Sequence, residues 1–531
     1  MNRFMKRTTI GSVMRGICYG FAALLFAASC ANDDVAQDEK QKKDNIPAGT
    51  TVFTGTSQPD ATTRTAILNH TKGTGASVNW SSIDKIWVKD DGGNWQQSAT
   101  ATIPSAANLS FAKFSLSGTY TGASHDIIYT NTAVTGSQLQ VEIKATQTQS
   151  VPNNFDHAGE SGDCGIATGN KAGNDYTFTL NHKASYLCLI PRTNNEYVKR
   201  SKLIKVEIMS DDEIAGTYNM TADGTLTLAS GGSKTITVTT GSGFAIDNAA
   251  DDMSKNATYA VVAPGTHTFR IRYWLRNTTD NPDGAIEGTV SKIVTLNCTA
   301  GSIHDITANL NPYDYDGDHY YMWDAQKQYW KGYEWTKHLS ENAGQPTLNT
   351  ESSLNYASSN ADSRWYNESY PGYGISNPAT HTSCKDLPNV NEMTWYAAKG
   401  EPRWDADELW TTMGHLYKGG MWFKKKSQIS GYNPNTAVDG TDWRTTGNSH
   451  SWSVSQTLPS AADAGNYFYL PASGSYTSGQ PFFIGSIGGS WSSSAYPWND
   501  GRAYRLGFTS ARIITDFGRR LEGNRAEALF E

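Results

Sequence analysis

The sequence predicts a mainly β protein. Its 531 residues include 49 glycines, and 11% of the residues are aromatic, which favours many short strands joined by turns. Apolar and polar side chains alternate over 204–208 and 269–275, the period of a strand with one buried face. The run T-L-T-L-A-S-G-G-S-K-T-I-T-V-T predicts a hairpin with its turn at 229–233. Repeated strands of this kind indicate antiparallel β-sandwiches.

The charge of the chain argues against nucleic acid as a partner. Charged residues make up 18% of the sequence and the formal net charge is -7, so the basic footprint of a nucleic-acid-binding protein is missing. The length is enough for about three domains, each with its own core. No fixed-period repeat is readable, which argues against a solenoid or a propeller.

The first 29 residues predict an export signal. A basic segment precedes an apolar run over 17–28 that is too short to span a bilayer. The run ends in A-A-S-C, which resembles the lipobox of bacterial lipoproteins and implies that Cys30 is acylated and becomes the mature N-terminus. Ala27 stands where the lipobox usually has Leu, as in the looser form of Bacteroidetes lipoproteins. A plain secretory signal that is cleaved elsewhere is the alternative.

Residues 30–48 predict a flexible tether, because they are polar and charged and cannot bury enough surface to become ordered. The motif A-N-D-D after Cys30 resembles the acidic signal that sends lipoproteins to the outer face of the outer membrane. No other hydrophobic run approaches membrane-spanning length. We therefore expect attachment to the membrane by lipid alone.

Neither the cysteines nor the acidic residues form a clear metal signature. The aspartates within 313–318 suit a hard cation, but His319 and Ala325 stand where an EF-hand loop requires Gly and Glu. We predict no metal and no cofactor. One or two disulfides are compatible with the sequence, but their pairing cannot be assigned from it. The widely spaced cysteines that remain after export are Cys164, Cys188, Cys298 and Cys384.

Four segments between residues 50 and 312 occur in an informative order. They are T-R-T-A-I at 63–67, V-N-W-S-S-I-D-K-I-W-V at 78–88, A-T-Q-T-Q-S-V-P-N-N-F-D-H at 145–157 and H-D-I-T-A-N-L at 304–310. Together they resemble the fimbrillins, the major pilin type of Bacteroidales. The resemblance implies two tandem transthyretin-like β-sandwiches, over 49–184 and 185–312. It also implies other pilin subunits as partners through donor-strand exchange, in which a strand of one subunit fills a groove in another. A stalk that never polymerises is the alternative.

The composition changes after Pro312, where a run crowded with aromatic residues indicates a new domain over 313–531. Pro388 and Gly400 bracket one predicted helix. Asp405 as N-cap and Glu408 three residues later predict a second helix. Its apolar stripe at helical spacing is Leu409, Trp410, Met413, Leu416 and Tyr417.

Long pieces of this region carry a second resemblance. They are C-K-D-L-P-N-V-N-E-M-T-W-Y, G-H-L-Y-K-G-G-M-W-F, S-Q-T-L-P-S-A-A-D-A-G-N-Y-F-Y-L-P-A and W-S-S-S-A-Y-P-W-N. They resemble the domain of the Fibrobacter succinogenes major paralogous family, which implies an α+β C-type-lectin-like fold with ligands held by exposed loops and strands. The family's closing strand, similar to G-Y-P-V-R-P-V, is replaced by L-E-G-N-R-A-E-A-L-F-E, so we expect this domain to close differently.

The last part of the chain predicts a ligand surface. Tyr504, Leu506 and Phe508 alternate with more polar residues, so one face of this strand points outward. Trp, Tyr and Arg, which are frequent here, are enriched at binding hot spots. An ordinary sheet with a solvated face is the alternative. The predicted ligand-binding residues are Trp491, Tyr496, Trp498, Asn499, Asp500, Arg502, Arg505, Thr509, Arg512, Asp516, Arg519 and Arg520.

Several relatives of this domain are diversified by retroelements that mutate adenines. Randomising the adenines of an Asn codon that ends in C gives Arg, Gly, Thr, Ile or Asp but never Lys, and this chain has no Lys after Lys426. The resemblance therefore implies a diversified surface, and chance is the alternative. The positions where those relatives carry Asn are Arg502, Arg505, Gly507, Thr509, Arg512 and Ile514.

The motifs favour binding over catalysis. The sequence contains no G-x-S-x-G, H-E-x-x-H or Walker loop. Enzymes of the formylglycine-generating type use a cysteine pair, whereas this region has only Cys384. We predict a lipid-anchored adhesin on the cell surface, at a pilus tip or as a stalk, that binds a host or bacterial glycan or protein. A secreted carbohydrate-active enzyme with a carboxylate pair and a purely structural pilin or anchor are the alternatives.

Overall fold

The computed structural model describes residues 49–527 except 57–65, 69, 75–77, 107, 278–284, 335–354 and 369–377. Cys30, the predicted signal peptide and the predicted tether lie outside the described residues. The described chain is mainly β, as predicted, with strands in several sheets and only short helices. Among these residues no helix has both the length and the apolar character needed to cross a bilayer.

The first region, residues 49–184, forms a mostly antiparallel sheet around an aromatic core. The strand order is β5-β4-β7-β11-β12-β1-β6, with β13 paired to β11. Phe53, Trp80 and Phe178 lie in its core. The elements are β1 Thr51–Thr56, β2 Ala66–Leu68, β3 Val78–Asn79, β4 Trp87–Lys89, β5 Trp95–Gln97, β6 Ala112–Leu116, β7 Ser124–Tyr129, β8 Gln140–Ile143, β9 Thr146–Thr148, β10 Asn154–Phe155, α1 Ala158–Ser161, β11 Gly165–Ala172, β12 Asp175–Thr179 and β13 Asn181–His182.

The second region, residues 185–312, has longer strands. The alternation predicted over 269–275 is present, since Phe269, Ile271 and Tyr273 are buried. The elements are β14 Ser185–Arg192, α2 Glu196–Lys199, β15 Lys202–Ser210, β16 Ala215–Met220, β17 Leu226–Ser233, β18 Thr235–Ala245, α3 Met253–Asn256, β19 Thr258–Val262, β20 Gly265–Asn277, β21 Ile286–Cys298 and β22 Ile303–Asn309.

Strand pairing links the first and second regions across residue 185. β8 pairs with β16, and β9 pairs in parallel with β18. Val141, Ile143 and Phe155 join the core that the second region builds. The strands of 140–148 therefore pair with strands that follow residue 185.

The predicted hairpin with its turn at 229–233 is wrong. β17 pairs with β16 and β18 pairs with β15, so these two consecutive strands belong to different sheets. The glycines of the expected turn lie near the end of β17, where its register with β16 shifts. Glycine inside a strand often marks such an irregularity rather than a turn.

Among its described residues, the C-terminal region over 313–527 has one helix longer than four residues together with many strands. Short 3-10 helices lie at Gly317–His319, Lys426–Gln428 and Ala464–Asn466. The other elements are β23 Tyr313–Asp314, β24 Tyr320–Tyr321, α4 Val390–Lys399, β25 Arg403–Thr412, β26 His415–Lys424, α5 Trp443–Thr446, β27 His450–Ser453, β28 Tyr467–Pro471, β29 Ser475–Thr477, β30 Gln480–Phe482, β31 Gly488–Ala495, β32 Arg502–Phe508, β33 Arg512–Arg519 and β34 Asn524–Arg525.

The first predicted helix is confirmed as α4. The Asn389 side chain accepts hydrogen bonds from the backbone N–H groups of Asn391 and Glu392, and the Glu392 carboxylate accepts one from Asn389. This capping box satisfies amide groups that the first turn of a helix leaves without partners. Gly400 ends the helix.

The second predicted helix is wrong, because the segment forms the β25–β26 hairpin. Met413 and Gly414 have φ values of 48° and 79°, the left-handed backbone that a tight hairpin turn requires. The last four residues of β25 are all buried, so apolar residues occur on both sides of the strand and mimic a helical stripe. The tertiary pairing of this strand outweighs its local signals.

β25 joins the C-terminal region to the second region in one continuous sheet. The strand order is β28-β26-β25-β21-β20-β15-β18-β9, and β25 meets β21 in parallel at Thr289 and Glu408. The C-terminal region covers Arg270 and Arg272 on β20, which were predicted on the polar face and are buried. Arg272 Nη2 lies 3.0 Å from Asp405 Oδ1. Buried charges of this kind must be paired.

The cysteines within the described residues are free thiols and all are buried. Burial raises the pKa of the Cys298 thiol to about 11 and that of Cys384 to about 12. Thiols with raised pKa values carry little thiolate at neutral pH and are chemically unreactive.

Candidate functional site

The predicted ligand surface belongs to a six-stranded sheet in the order β24-β34-β31-β32-β33-β27. Helix α4 packs on one face of this sheet, where Met393 and Tyr396 meet Leu506 and Phe508. The predicted alternation along β32 is present. Tyr504 is fully buried, and its hydroxyl donates to the Trp443 carbonyl at 3.0 Å. The inner face of β32 is thus fixed by packing.

The predicted site residues differ widely in exposure. The exposed ones are Trp498, Asn499, Asp500, Arg512 and Arg519. The partly buried ones are Tyr496, Arg502, Arg505, Thr509 and Asp516. The buried ones are Trp491 and Arg520.

Trp491 and Arg520 are not on the surface, contrary to expectation. Every residue of β31 is buried, because segments around Trp323 and Cys384 cover the face that we expected to be open. The Trp491 indole N–H donates to the Tyr321 carbonyl at 2.8 Å. Arg520 Nε donates to the Arg502 carbonyl at 3.0 Å, and its guanidinium lies 4.4 Å from the Trp323 ring centroid. Both side chains hold the domain together.

Trp498 is the most prominent exposed side chain of the predicted surface. It is 57% exposed, yet its indole N–H donates to the Thr446 carbonyl at 3.1 Å. Its ring lies against Gly447, where an added Cβ would collide with it. Asn499 Oδ1 accepts from the Gly501 N–H at 2.9 Å and shapes the following turn. The ring is thus presented to solvent in a fixed position, which lowers the entropy lost on binding.

Further predicted residues gather near Trp498 at one end of the sheet. The Tyr496 and Phe517 ring centroids are 3.9 Å apart, and the Arg502 guanidinium lies 5.4 Å from the Phe517 ring. Arg502 and Arg519 are direct neighbours across β32 and β33. We define the exposed-end surface as Tyr496, Trp498, Asn499, Asp500, Arg502 and Arg519.

Other predicted residues lie away from this surface. Thr509 and Arg512 flank the turn between β32 and β33. Thr509 lies seven residues from Arg502 along an extended strand, roughly 23 Å at 3.3 Å per residue. One ligand of modest size cannot contact both ends, so the predicted set does not form a single site.

Arg505 is already engaged within the protein. Its Nε lies 3.0 Å from Asp516 Oδ1 and its Nη1 lies 3.0 Å from Glu522 Oε2. Burial opposes the charge of Arg505, but the two carboxylates outweigh it and raise the pKa of the guanidinium. A ligand anion at Arg505 would have to compete with both acids.

The segment that supports Trp498 was not predicted from the sequence. Asp442 caps α5 by accepting from the Arg444 N–H, and Gly447 ends α5 in the left-handed conformation with φ 72°. Thr446 and Gly447 at this helix end provide the hydrogen bond and the space for the Trp498 ring. The pattern D-W-R-T-T-G, with an N-cap aspartate and a glycine stop, could have identified this turn.

The acidic cluster considered for calcium does not converge. Asp314 Oδ1 accepts from the Thr411 hydroxyl at 2.9 Å. Asp316 instead caps the 3-10 helix that follows, where it accepts from the Asp318 N–H at 2.8 Å.

One group of side chains elsewhere has metal-ligand chemistry. His70, Cys188 and Asp305 place their ligand atoms within 4.8 Å of one another. His70 Nε2 is 2.8 Å from Asp305 Oδ1, and the Gly73 N–H donates to Asp305 Oδ2 at 2.7 Å. Burial raises the pKa of the Cys188 thiol well above its usual value. A metal would therefore have to displace existing hydrogen bonds and a proton.

Solved structures similar to this chain are adhesion and fimbrial proteins of Bacteroidales. No family model and no curated protein match the sequence. A candidate cell adhesion protein of Bacteroides ovatus has 12% identity over 49% of this chain and 91% of its own, with a TM-score of 0.30. The fimbrial anchor protein Mfa2 of Porphyromonas gingivalis has 10% identity over 49% and 90%, with a TM-score of 0.22. A fimbrial protein of Bacteroides ovatus has 11% identity over 90% and 98%, with a TM-score of 0.23. TM-scores of this size do not establish a common fold.

Proposed function

We propose that this chain is a cell-surface adhesin of the fimbrial type that binds a glycan or a protein through the exposed-end surface. The observation that carries the proposal is Trp498, a large aromatic ring that is 57% exposed and yet held by a backbone hydrogen bond. Asn499 and Asp500 next to it are exposed and can bond to hydroxyl groups. Arg502 and Arg519 can bond to carboxylates or sulfates. Rigid aromatic rings beside forked donors are typical of binding hot spots.

The positions proposed to be diversified support an outward recognition side of β32 and β33, and one of them, Arg502, belongs to the exposed-end surface. Arg505 and Gly507 on β32 are partly buried, and Arg512 on β33 is exposed. Their neighbours Leu506 and Ile513 are fully buried. Variation at outward positions changes the surface while it leaves the core intact. All the positions where related domains carry Asn are at least partly exposed: Arg502, Arg505, Gly507, Thr509, Arg512 and Ile514.

The place of the C-terminal region favours a pilus tip or a stalk over the shaft of a filament. Residues 313–527 follow the second region and extend its sheet through β25. β25 pairs with β21 at Thr289, so part of an edge on which another strand could add is occupied. A terminal subunit accepts a strand from another pilin and need not donate one.

We expect Trp498→Ala to weaken ligand binding at least tenfold, because truncating a central aromatic anchor typically costs about 2 kcal/mol or more. The measurement is retention of the full chain on an array of glycans and cell-surface proteins, followed by titration of the ligands found. The full chain is needed because β25 takes part in the sheet of the second region.

Phe483→Ala is the matched control, since Phe483 is 60% exposed and lies outside the exposed-end surface. Its affinity should equal that of the unchanged protein. Equal loss in the two variants, or undiminished binding by Trp498→Ala, would show that the ligand is held elsewhere.

We also propose anchoring to the outer membrane through lipid on Cys30, based on the lipobox-like sequence before it. Cells fed an alkyne analogue of palmitate should label the unchanged protein and not Cys30→Ser. Cys18→Ser is the matched control, because this cysteine lies within the predicted signal and should leave labelling intact. Label on Cys30→Ser would contradict the proposed anchor.

A further inference from the structure

The sheet that joins the second and C-terminal regions forks at β25. β21 pairs with this strand at Glu408, and β23 pairs with the same strand two residues later, at Trp410 and Thr411. The other edge of β25 is occupied by β26. β21 and β23 therefore share one edge and must diverge from each other. A cleft of about 440 Å³ lies at this fork, within the volume range of small-molecule sites.

A bulge in β25 shapes the floor of the cleft. The register between β25 and β26 shifts between Asp405 and Leu409, and bulges of this kind often redirect a side chain next to a functional site. Here Glu408 reaches β21, where Oε1 accepts from the Ser291 N–H at 3.0 Å and Oε2 from the Ser291 hydroxyl at 2.6 Å. Its carboxylate is thereby fixed, and burial raises its pKa.

Aromatic rings line the cleft on two sides. Tyr313 is 59% exposed, and its ring centroid lies 4.4 Å from that of Tyr315. On the other side the Trp422 and Tyr469 centroids are 5.0 Å apart. These rings come from β23, the residue after it, β26 and β28, so the fork brings together aromatic residues that are far apart in the sequence. Flat rings of this kind offer large contact area at low entropic cost.

Lys292 and Asp314 give the cleft a donor and an acceptor that no described residue engages. Within the described residues, neither a hydrogen bond nor an ion pair engages Lys292 Nζ, and burial lowers the pKa of this group. Asp314 uses Oδ1 to accept from Thr411, and no described residue bonds to its Oδ2. Glu408 favours the charge of this ammonium group, but a half-buried ammonium group without a hydrogen bond is costly unless a ligand supplies one.

We propose that this cleft binds a neutral pyranose unit of a glycan. A pyranose ring has an apolar C–H face that can lie on an aromatic ring, and its hydroxyl groups both donate and accept hydrogen bonds. Lys292 disfavours a quaternary ammonium ligand, which aromatic cages otherwise bind, and Asp314 disfavours an anion. The site is separate from the exposed-end surface and does not rest on the function proposed for it.

The test is calorimetric titration of the full chain with neutral oligosaccharides: maltotriose, cellotriose, mannotriose, xylotriose and N-acetyllactosamine. We expect at least one of them to bind. Tyr313→Ala should weaken that binding at least tenfold, since it removes the exposed aromatic wall. Lys292→Met and Asp314→Asn keep the shape of their side chains and should each weaken it several-fold. Choline and glucuronate, which carry single charges of opposite sign, should not bind in the cleft.

Phe483→Ala is the matched control, because it removes an exposed aromatic side chain outside both the cleft and the exposed-end surface. It should retain full affinity for the saccharide. Melting temperatures of all variants are measured first, and Tyr313→Ala should melt with the unchanged protein because its side chain is largely exposed. The proposal is overturned if no neutral saccharide binds, if Tyr313→Ala binds as well as the unchanged protein, or if choline displaces the saccharide.

Discussion

Arg272→Ala is expected to lower the free energy of unfolding by about 3–5 kcal/mol, because it leaves a buried carboxylate without its partner. Arg272 is 8% exposed and Asp405 2%. Arg272 Nη2 lies 3.0 Å from Asp405 Oδ1 and donates to the Thr289 hydroxyl at 3.1 Å. The pair connects β20 of the second region to the β25–β26 hairpin of the C-terminal region. We therefore expect the urea unfolding of Arg272→Ala to begin at this junction.

Arg276→Ala is the matched control for this change. Arg276 lies on the same strand and pairs with Glu287, but the two side chains are 52% and 37% exposed. An exposed ion pair contributes roughly 0–1 kcal/mol. Similar unfolding midpoints for the two variants would mean that the buried pair does not stabilise the junction.

A double variant distinguishes the stability lost with the ion pair itself from the cost of leaving one charge buried without a partner. Replacing a buried ion pair with apolar residues of similar volume is often neutral or stabilising. Arg272→Met combined with Asp405→Leu should therefore recover most of the stability lost in Arg272→Ala. Failure to recover would indicate that the other partners of Asp405, including the Trp422 indole at 3.2 Å, matter more than the ion pair.

Elements with strong local signals were predictable from the sequence. The alternation on β20 and β32 gives the correct inward residues, since Ile271 and Tyr504 are fully buried, but it misses the burial of Arg270 and Arg272. α4 was predictable because Pro388 and Gly400, which bracket it, are local signals. Such signals depend on a few adjacent residues and require no knowledge of tertiary neighbours.

The two wrong secondary-structure predictions have the same cause, which is strand pairing in the tertiary structure. The segment that begins at Asp405 has both a cap-like residue and a helical stripe, but it pairs with β26 on one edge and with β21 and β23 on the other. Hydrogen bonds to strands distant in the sequence decide its conformation. The hairpin expected at 229–233 fails similarly, because β17 and β18 pair with different partners. No local pattern encodes such partners.

The candidate site was predictable in part for a related reason. The alternation of apolar and polar side chains along β32 distinguishes inward from outward residues, because one face of this strand packs against α4. The same reasoning fails for Trp491, since β31 is covered on both faces and its sequence contains no sign of the covering segments. The cleft at the fork was not predictable, because it depends on Glu408, Lys292 and Tyr313 meeting across three strands.

Trp491→Ala should be among the most destabilising single changes in the C-terminal region, with an expected loss of about 3–5 kcal/mol. The side chain is fully buried beside Trp323 and Cys384, and its indole N–H donates to the Tyr321 carbonyl at 2.8 Å. Its removal creates a cavity beside a central strand and leaves the Tyr321 carbonyl with one hydrogen bond fewer. The measurement is urea unfolding of the full chain, followed by near-UV circular dichroism.

Trp498→Ala is the comparison that distinguishes a structural tryptophan from a binding one. Since its ring is 57% exposed, we expect a loss of about 1 kcal/mol or less together with the tenfold loss of affinity expected above. Trp491→Ala should show the reverse, with low stability and unchanged affinity in the molecules that remain folded at low temperature. If Trp491→Ala unfolds at the same urea concentration as Trp498→Ala, the interior position of Trp491 is wrong and its role as a ligand contact has to be reconsidered.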